Sequence, residues 1–353
     1  MWKLEHRAYR LPFRAVVRTA HGPWGEREGF LIRLARADAE ARPDVGWGEV
    51  APLPWFGTES VAEAGAALAG LRGEARDLGD ALARVPGACG ATRAGLAAAW
   101  ARAMEADGHG ADLPAVRSLP VAALLPAGRG ALEAAGSALE LGYRVFKWKV
   151  GVAAAAEELP LLDDLLGCLP SGAKLRLDAN GAWDRRTAER WLAAATERPI
   201  EYVEQPVAAD TRGAEDLLRG LAEDYPVTLA LDESLGGAGD IDRWLAAGWR
   251  GVWVIKPALL GEPGAVLARL VAAGADLVFG SALETRVGAR AGLRLAFEHA
   301  ERWAASGGKA RALGYGVWPL FAEARADGPA TGPFVRREDV ARINAEELWN
   351  VLG

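Results

Sequence analysis

One recurrence constrains this chain more than any other feature. From Leu119 onward, short runs rich in strand-forming residues alternate with helix-like stretches. The runs cover residues 120–125, 143–150, 174–178, 200–204, 227–232, 251–256 and 275–280. Each of these seven strands is followed by a helical segment. Repeats of this length demand parallel strands joined by right-handed crossovers. Seven or eight in succession point to a TIM-like barrel rather than an open doubly wound sheet. No G-x-G-x-x-G follows the first strand, which also counts against a dinucleotide fold.

The rest of the chain reads differently. Residues 1–57 carry strand runs at 9–17, 29–34 and 45–50, separated by turn residues. Residues 59–107 are Ala-rich with few breakers apart from Pro86-Gly87, and predict helices. The expected fold is α/β: a TIM-like (β/α)7β barrel with an α+β capping domain. Its expected limits are 1–115 for the N-terminal cap, 116–318 for the barrel and 319–353 for a C-terminal segment returning to the cap. The length of 353 residues suits a barrel with such an appendage.

Composition then excludes several classes. With 47 acidic against 41 basic residues, the net charge is −6. No basic surplus exists to release counterions, so no nucleic-acid partner is expected. Charges break every apolar stretch before about 18 residues, so no membrane span is expected. The first seven residues lack the apolar core of a signal peptide, and a cytoplasmic location is expected. Only Cys89 and Cys168 occur, far apart. That fits a reducing compartment and excludes a disulfide scaffold or thiolate zinc site. No protein partner is implied.

The informative charges close the strands. Lys149, Asp178, Glu204, Asp232 and Lys256 are separated by 29, 26, 28 and 24 residues, about one βα repeat each. All five therefore fall at the C-terminal rim of consecutive barrel strands, where active sites of this fold occur. One such charge is readily an ordinary loop residue, but five in phase are not. Charges inside a barrel mouth are costly unless paired or metal-bound. Asp178, Glu204 and Asp232 make an all-oxygen donor set, which suits Mg2+ better than zinc, with Mn2+ as the alternative ion. Lys149 and Lys256 flank them in barrel order. This layout suits removal of a proton α to a carboxylate in a small-molecule substrate, with the metal stabilising the developing charge.

Neighbouring positions extend the pattern. Lys147 and Lys149 lie two apart on one strand, so both point inward, and Trp148 faces the outer helices. A neighbouring cation favours the neutral amine of a lysine. Lys147 as a partner for a rim carboxylate is the plainer reading. Arg176 and Asn180 flank Asp178 at the same alternation and are expected to face inward and orient ligands. Trp24, Trp55 and Phe56 read either as an apolar lid or as packing between cap and barrel. His6, His21, His109 and His299 fall off the rim pattern and are expected at the surface or in the cap.

These residues carry a resemblance. Lys147-Trp148-Lys149, Asp178-Ala179-Asn180, Glu204-Gln205-Pro206, Asp232-Glu233-Ser234 and Ile255-Lys256-Pro257 resemble, in order and interval, the motifs of the muconate-lactonising-enzyme subgroup of the enolase superfamily. Residues 52–60 are similar to its capping loop. Within the subgroup the chain most resembles the o-succinylbenzoate synthase family, through residues 176–183. Gly280-Ser281-Ala282-Leu283-Glu284-Thr285 is similar to that family's seventh strand end, where amides and a serine hold a substrate carboxylate.

The resemblance implies Mg2+-dependent loss of water from 2-succinyl-6-hydroxy-2,4-cyclohexadiene-1-carboxylate, giving 2-succinylbenzoate, in menaquinone or phylloquinone biosynthesis. It implies that Lys149 removes the α-proton and returns it to the departing hydroxyl, and that Lys256 stabilises the enolate. Metal ligation falls to Asp178, Glu204 and Asp232. Substrate contacts or support fall to Lys147, Arg176, Asn180, Glu233, Gly280, Ser281, Trp55 and Phe56. An N-acylamino acid racemase, dipeptide epimerase or cycloisomerase would use the same five charges. The D-x-D of dipeptide epimerases is absent near the eighth strand, where Gly314-Tyr315-Gly316-Val317-Trp318 stands. A binding protein on this scaffold would not require two lysines flanking a metal.

Overall fold

The computed structural model describes residues 1–19, 22–37, 45–71, 74–105, 116–329 and 332–352. Its N-terminal unit is an antiparallel sheet of β1 (Trp2–Thr19), β2 (Gly22–Arg36), β3 (Val45–Val50) and β4 (Glu74–Ala75), in the order β3-β2-β1-β4. In β1, Tyr9, Leu11 and Phe13 are buried while the residues between them are exposed, the period of a strand with one face covered. Helices α1 (Val61–Gly70), α2 (Leu78–Ala83) and α3 (Gly90–Glu105) pack against this unit. Ser60 and Glu63 form a reciprocal capping box that starts α1. The approach of α3 to β3 depends on glycine. A Cβ on Gly46 or Gly48 would lie 2.0 Å from the carbonyl oxygen of Ala99 or Gly95.

The barrel strands are preceded by β5 (Ser118–Pro120). The first run of the repeat is therefore split. Residues 118–120 pair antiparallel with the C-terminal tail, and only β6 (Ala123–Leu125) joins the barrel sheet. The repeat then continues as α4 (Gly130–Glu140), β7 (Val145–Lys149), α5 (Ala155–Cys168), β8 (Lys174–Asp178) and α6 (Arg185–Thr196). Next come β9 (Ile200–Glu204), α7 (Ala214–Asp224), β10 (Leu229–Leu231), α8 (Ala238–Ala246) and β11 (Val252–Ile255). It ends with α9 (Pro263–Ala272), β12 (Asp276–Phe279) and α10 (Arg286–Ala305). Strands β6 to β12 neighbour one another in sequence order, and every pair is parallel. Parallel bridges Gly280↔Gly314 and Val121↔Leu313 close the ring, so residues 313–314 act as the eighth strand. The architecture is a (β/α)7β barrel with a separate antiparallel cap.

Register sets the rim. Lys149 pairs with Asp178, and Asp178 with Glu204, so three of the five charges end adjacent strands at one level. Trp148 points the other way, into the helix layer, 6.3 Å from Trp191. Trp183 stacks on Trp191, and Trp244 meets Trp249 edge-on, so much of the tryptophan content is barrel packing.

The tail makes two sets of contacts. Its strand β13 (Phe334–Arg336) pairs with β5. Phe321 bridges to Phe13 of the cap, and Trp349 of the helix α12 (Ala345–Val351), preceded by α11 (Arg337–Ala341), accepts a 2.6 Å hydrogen bond from Arg7 through its carbonyl. His299 corrects a sequence expectation. It lies neither at the surface nor in the cap but is buried in α10, between Phe279 and Trp303. His21 and His109 lie outside the described residues.

Candidate active site

A cavity of 820 Å³ opens at the C-terminal end of the barrel strands. Its barrel wall carries Lys147, Lys149, Asp178, Asn180, Asp232, Glu233, Lys256 and Ser281. From the cap, Arg18, Trp24, Leu53, Trp55 and Phe56 close over it. Four of the five in-phase charges thus face one space. The fifth, Glu204, is fully buried just below it.

Lysines and carboxylates interlock at the floor. Lys147 Nζ lies 2.9 Å from Asp178 Oδ2 and 2.7 Å from Glu204 Oε1. Burial lowers the Lys147 pKa, but the charges of Asp178 and Glu204 outweigh burial and raise it above the ordinary lysine value. Lys147 is therefore held as a cation by the carboxylates, the plainer of its two readings. Lys256 Nζ contacts Asp232 Oδ1 and sits 4.1 Å from the centre of the Phe56 ring. Lys149 Nζ donates to the Arg18 carbonyl at 3.1 Å, which brings the cap strand β1 against it.

The loops behind the charges are tightly specified. Gln205 uses its whole amide: Oε1 accepts from Asp232 N and Ser234 N, and Nε2 donates to Val207 O and Ser234 Oγ. The turn that carries Asp232 is thereby fixed. Asn180, Gln205 and Leu283 have positive φ values of 44°, 37° and 56°. All three follow barrel strands at the cavity end, a concentration of backbone strain of the kind functional sites hold. Asn180 Nδ2 donates to Glu233 Oε1 at 3.1 Å. Burial, then the charges of Asp232 and Asp178, push the Glu233 carboxyl up to about 7.

Among the described residues no three acidic, histidine or cysteine side chains are gathered as a ready metal cluster. The ammonium groups of Lys147 and Lys256 occupy the positions next to the carboxylates. The donor set nonetheless fits a hard divalent cation. Glu204 Oε2 and Glu233 Oε2 are buried and accept no hydrogen bond. A buried carboxylate oxygen left without a partner calls for an ion or water. Only oxygen ligands are offered, as Mg2+ prefers.

Three further candidates take these places in the structure. Arg176 faces inward but one layer below the cavity. It is wholly buried, donates to Glu201 Oε2 at 2.6 Å and to Ala312 O, and stacks on Tyr202. Alternation gave its face but not its depth. Gly280 belongs to the sheet, its amide donating to Ile255 O at 2.8 Å. Ser281 does line the cavity, but its hydroxyl donates to Glu284 Oε2 at 2.9 Å, while Ala282 N donates to the same oxygen at 2.5 Å and Leu283 N to Ser281 Oγ at 2.9 Å. These groups hold their own loop in this structure. Trp55 and Phe56 do line the cavity, and Trp24 meets Trp55 edge-on at 4.9 Å.

A (β/α)7β barrel whose mouth joins acidic and lysine side chains beneath an α+β cap defines the enolase-type class of barrel enzymes. Residues 130–314 match the family described as "Enolase C-terminal domain-like", and residues 1–97 match "MenC, N-terminal domain". The o-succinylbenzoate synthase of Thermosynechococcus vestitus is 40% identical over 318 residues, covering 88% of this chain and 91% of that protein. That of Yersinia enterocolitica is 31% identical, covering 82% and 84%. The crystal structure of o-succinylbenzoate synthase from Thermosynechococcus elongatus BP-1, complexed with Mg in the active site, superposes with a TM-score of 0.79 at 35% identity over 99% of both chains. The chain belongs to the o-succinylbenzoate synthase family, lyases of the enolase superfamily. The L-Ala-D/L-Glu epimerase of Bacillus subtilis, 20% identical with a TM-score of 0.76, shares the fold.

Proposed function

We propose that this chain dehydrates 2-succinyl-6-hydroxy-2,4-cyclohexadiene-1-carboxylate to 2-succinylbenzoate, the aromatic acid of menaquinone or phylloquinone synthesis. One observation supports this reading above the isomerases that would use the same charges: the chain that places Lys149 and Lys256 in one cavity with Asp178 and Asp232 is 40% identical, over 88% of its length, to an o-succinylbenzoate synthase. Asp178, Glu204 and Asp232 are the proposed ligands of Mg2+, or of Mn2+ in its place. A divalent cation held there would supply positive charge to offset the negative charge that develops on the substrate carboxylate.

Lys149, as the amine, takes the proton from the carbon bearing the carboxylate. The same lysine, now an ammonium, gives that proton to the ring hydroxyl, which leaves as water. One base on one face thus balances both steps. Lys256 stays an ammonium, seated on Asp232 and against the Phe56 ring, and opposes the enolate charge. Lys147 neutralises Asp178 and Glu204 from below. Gln205 and Asn180 keep the acidic loops in place.

The test is spectroscopic. Purified chain with Mg2+ and the cyclohexadiene substrate is followed by ultraviolet absorbance as the ring becomes aromatic. Mg2+-dependent conversion is the expected result. Failure to convert the substrate would overturn the reading.

A further inference from the structure

Arg27 lies on β2 of the cap and is 2% exposed, yet no carboxylate lies within ion-pair distance of it among the described residues. Its guanidinium is surrounded by carbonyl oxygens instead. Nη1 donates to Pro52 O at 2.8 Å and Glu28 O at 3.2 Å. Nη2 donates to Ala51 O at 2.6 Å and Ala282 O at 3.4 Å, and Nε to Leu283 O at 3.2 Å. Trp24 packs on it, with Cζ 5.2 Å from the ring centre. A buried cation is costly unless its donors are matched, and five carbonyls match the five N–H groups of a guanidinium.

What the carbonyls belong to gives this cage its meaning. Residues 51–52 lead directly into Leu53, Trp55 and Phe56, the cap's wall of the cavity. Residues 282–283 are the barrel's wall of the same cavity. Trp24 is the cap residue that meets Trp55. One side chain therefore ties together three segments that come from two domains and line one space. It also orients two peptides. With the Ala282 and Leu283 oxygens turned onto Arg27, the amide of Leu283 points to Ser281 Oγ. The lone pairs of both carbonyls, which would repel an anion, face Arg27, and the N–H end of the Ala282–Leu283 peptide faces Ser281. Leu283 holds a φ of 56° to do so, and the cage offsets that strain.

We propose that Arg27 is a positioning residue for carboxylate substrates. It fixes the 281–283 turn against the 51–56 loop and keeps that wall free of outward carbonyl oxygens. This rests on the dehydratase reading for its substrate. Arg27 touches no reacting group, so ground state and transition state feel it alike. Its loss therefore falls on KM rather than kcat.

The test compares Mg2+-loaded wild type with Arg27→Lys and Arg27→Met. Lysine keeps the charge but loses the planar fork. The expected result is a KM raised on the order of tenfold or more in Arg27→Met, less in Arg27→Lys, with kcat within about threefold of wild type. Backbone hydrogen exchange is measured on the same samples. Peptides covering 51–56 and 281–285 should lose protection together, with β7 to β11 unchanged. A fall in kcat at constant KM, or unaltered exchange in both segments, would overturn the proposal. Should wild type itself fail to convert the cyclohexadiene, the dehydratase reading fails, and the exchange measurement alone still decides whether Arg27 couples the two walls. A Met variant that does not fold leaves the decision to Arg27→Lys, which keeps the cation.

Discussion

Lys147 Nζ lies 2.7 Å from Glu204 Oε1, inside the barrel at the cavity floor. The same ammonium contacts Asp178, so one cation serves two carboxylates on neighbouring strands. Removing one partner of a buried pair typically costs about 3–5 kcal/mol, because the other charge is left uncompensated. Lys147→Met should lower stability on that scale without metal. Mg2+ should then raise the melting temperature of the variant more than that of wild type, since the ion compensates the same carboxylates. Equal Mg2+-induced shifts would show that the ion binds elsewhere.

The ligand set makes a separate demand. Asp232→Asn keeps the shape but removes one negative charge from the proposed site. Mg2+ affinity, measured by calorimetry, should fall by at least the roughly 10–100-fold that loss of a supporting partner costs. Activity should vanish and far-ultraviolet circular dichroism should not change. Unaltered Mg2+ affinity would remove Asp232 from the ligands.

Lys256 is assigned to charge and Lys149 to proton transfer, and the two differ in what arginine can replace. Lys256→Arg keeps a cation against Asp232 and Phe56, so its rate should exceed that of Lys256→Ala. A proton-exchanging Lys256 would make the two variants equally inactive. Initial rates of aromatisation decide between these.

How far the sequence reaches is visible in these residues. Lys149, Asp178, Glu204, Asp232 and Lys256 were legible because each charge ends an apolar strand one repeat after the last, and a parallel barrel converts that period into one rim. Alternation along a strand gave the inward face of Lys147 and Arg176 but not which layer each occupies. Depth depends on the stagger of neighbouring strands, and Arg176 falls to the layer of Glu201. His299 was misplaced because a histidine in a charge-rich helix gives no sign of the Phe279 and Trp303 rings that bury it. Arg27 and Glu49 were missed altogether. Each acts across the domain boundary, 256 and 236 residues from its barrel partners Leu283 and Thr285, and no local spacing records such a contact.

Glu284 supplies a pH signature. It is enclosed by Ser281, the Ala282 amide, Tyr315 and the neighbouring Glu49, which is itself held by Tyr9 and the amides of Thr285 and Gly288. Burial, and then the Glu49 charge, push its carboxyl up to about 7 from 4.5. The folded chain then binds the proton more tightly than the unfolded chain. Its contribution is fully present below about pH 4.5 and is lost as pH rises to about 7. Glu284→Gln keeps an oxygen for Ser281 and Ala282 but cannot titrate. Between those limits wild type should lose stability relative to the variant as pH rises, by at most about 1.4 kcal/mol per unit. Parallel denaturation curves across that range would contradict the assignment.

The most direct test of the whole account sets two reactions side by side on one Mg2+-loaded preparation in heavy water. Ultraviolet absorbance follows aromatisation of the cyclohexadiene, and NMR follows deuterium wash-in at the α-carbon of an N-acylamino acid. The account predicts fast aromatisation, reduced about 10²–10⁴-fold or more in a folded Lys149→Ala variant. Equal wash-in into both enantiomers with no aromatisation would contradict it and make the chain a two-base isomerase.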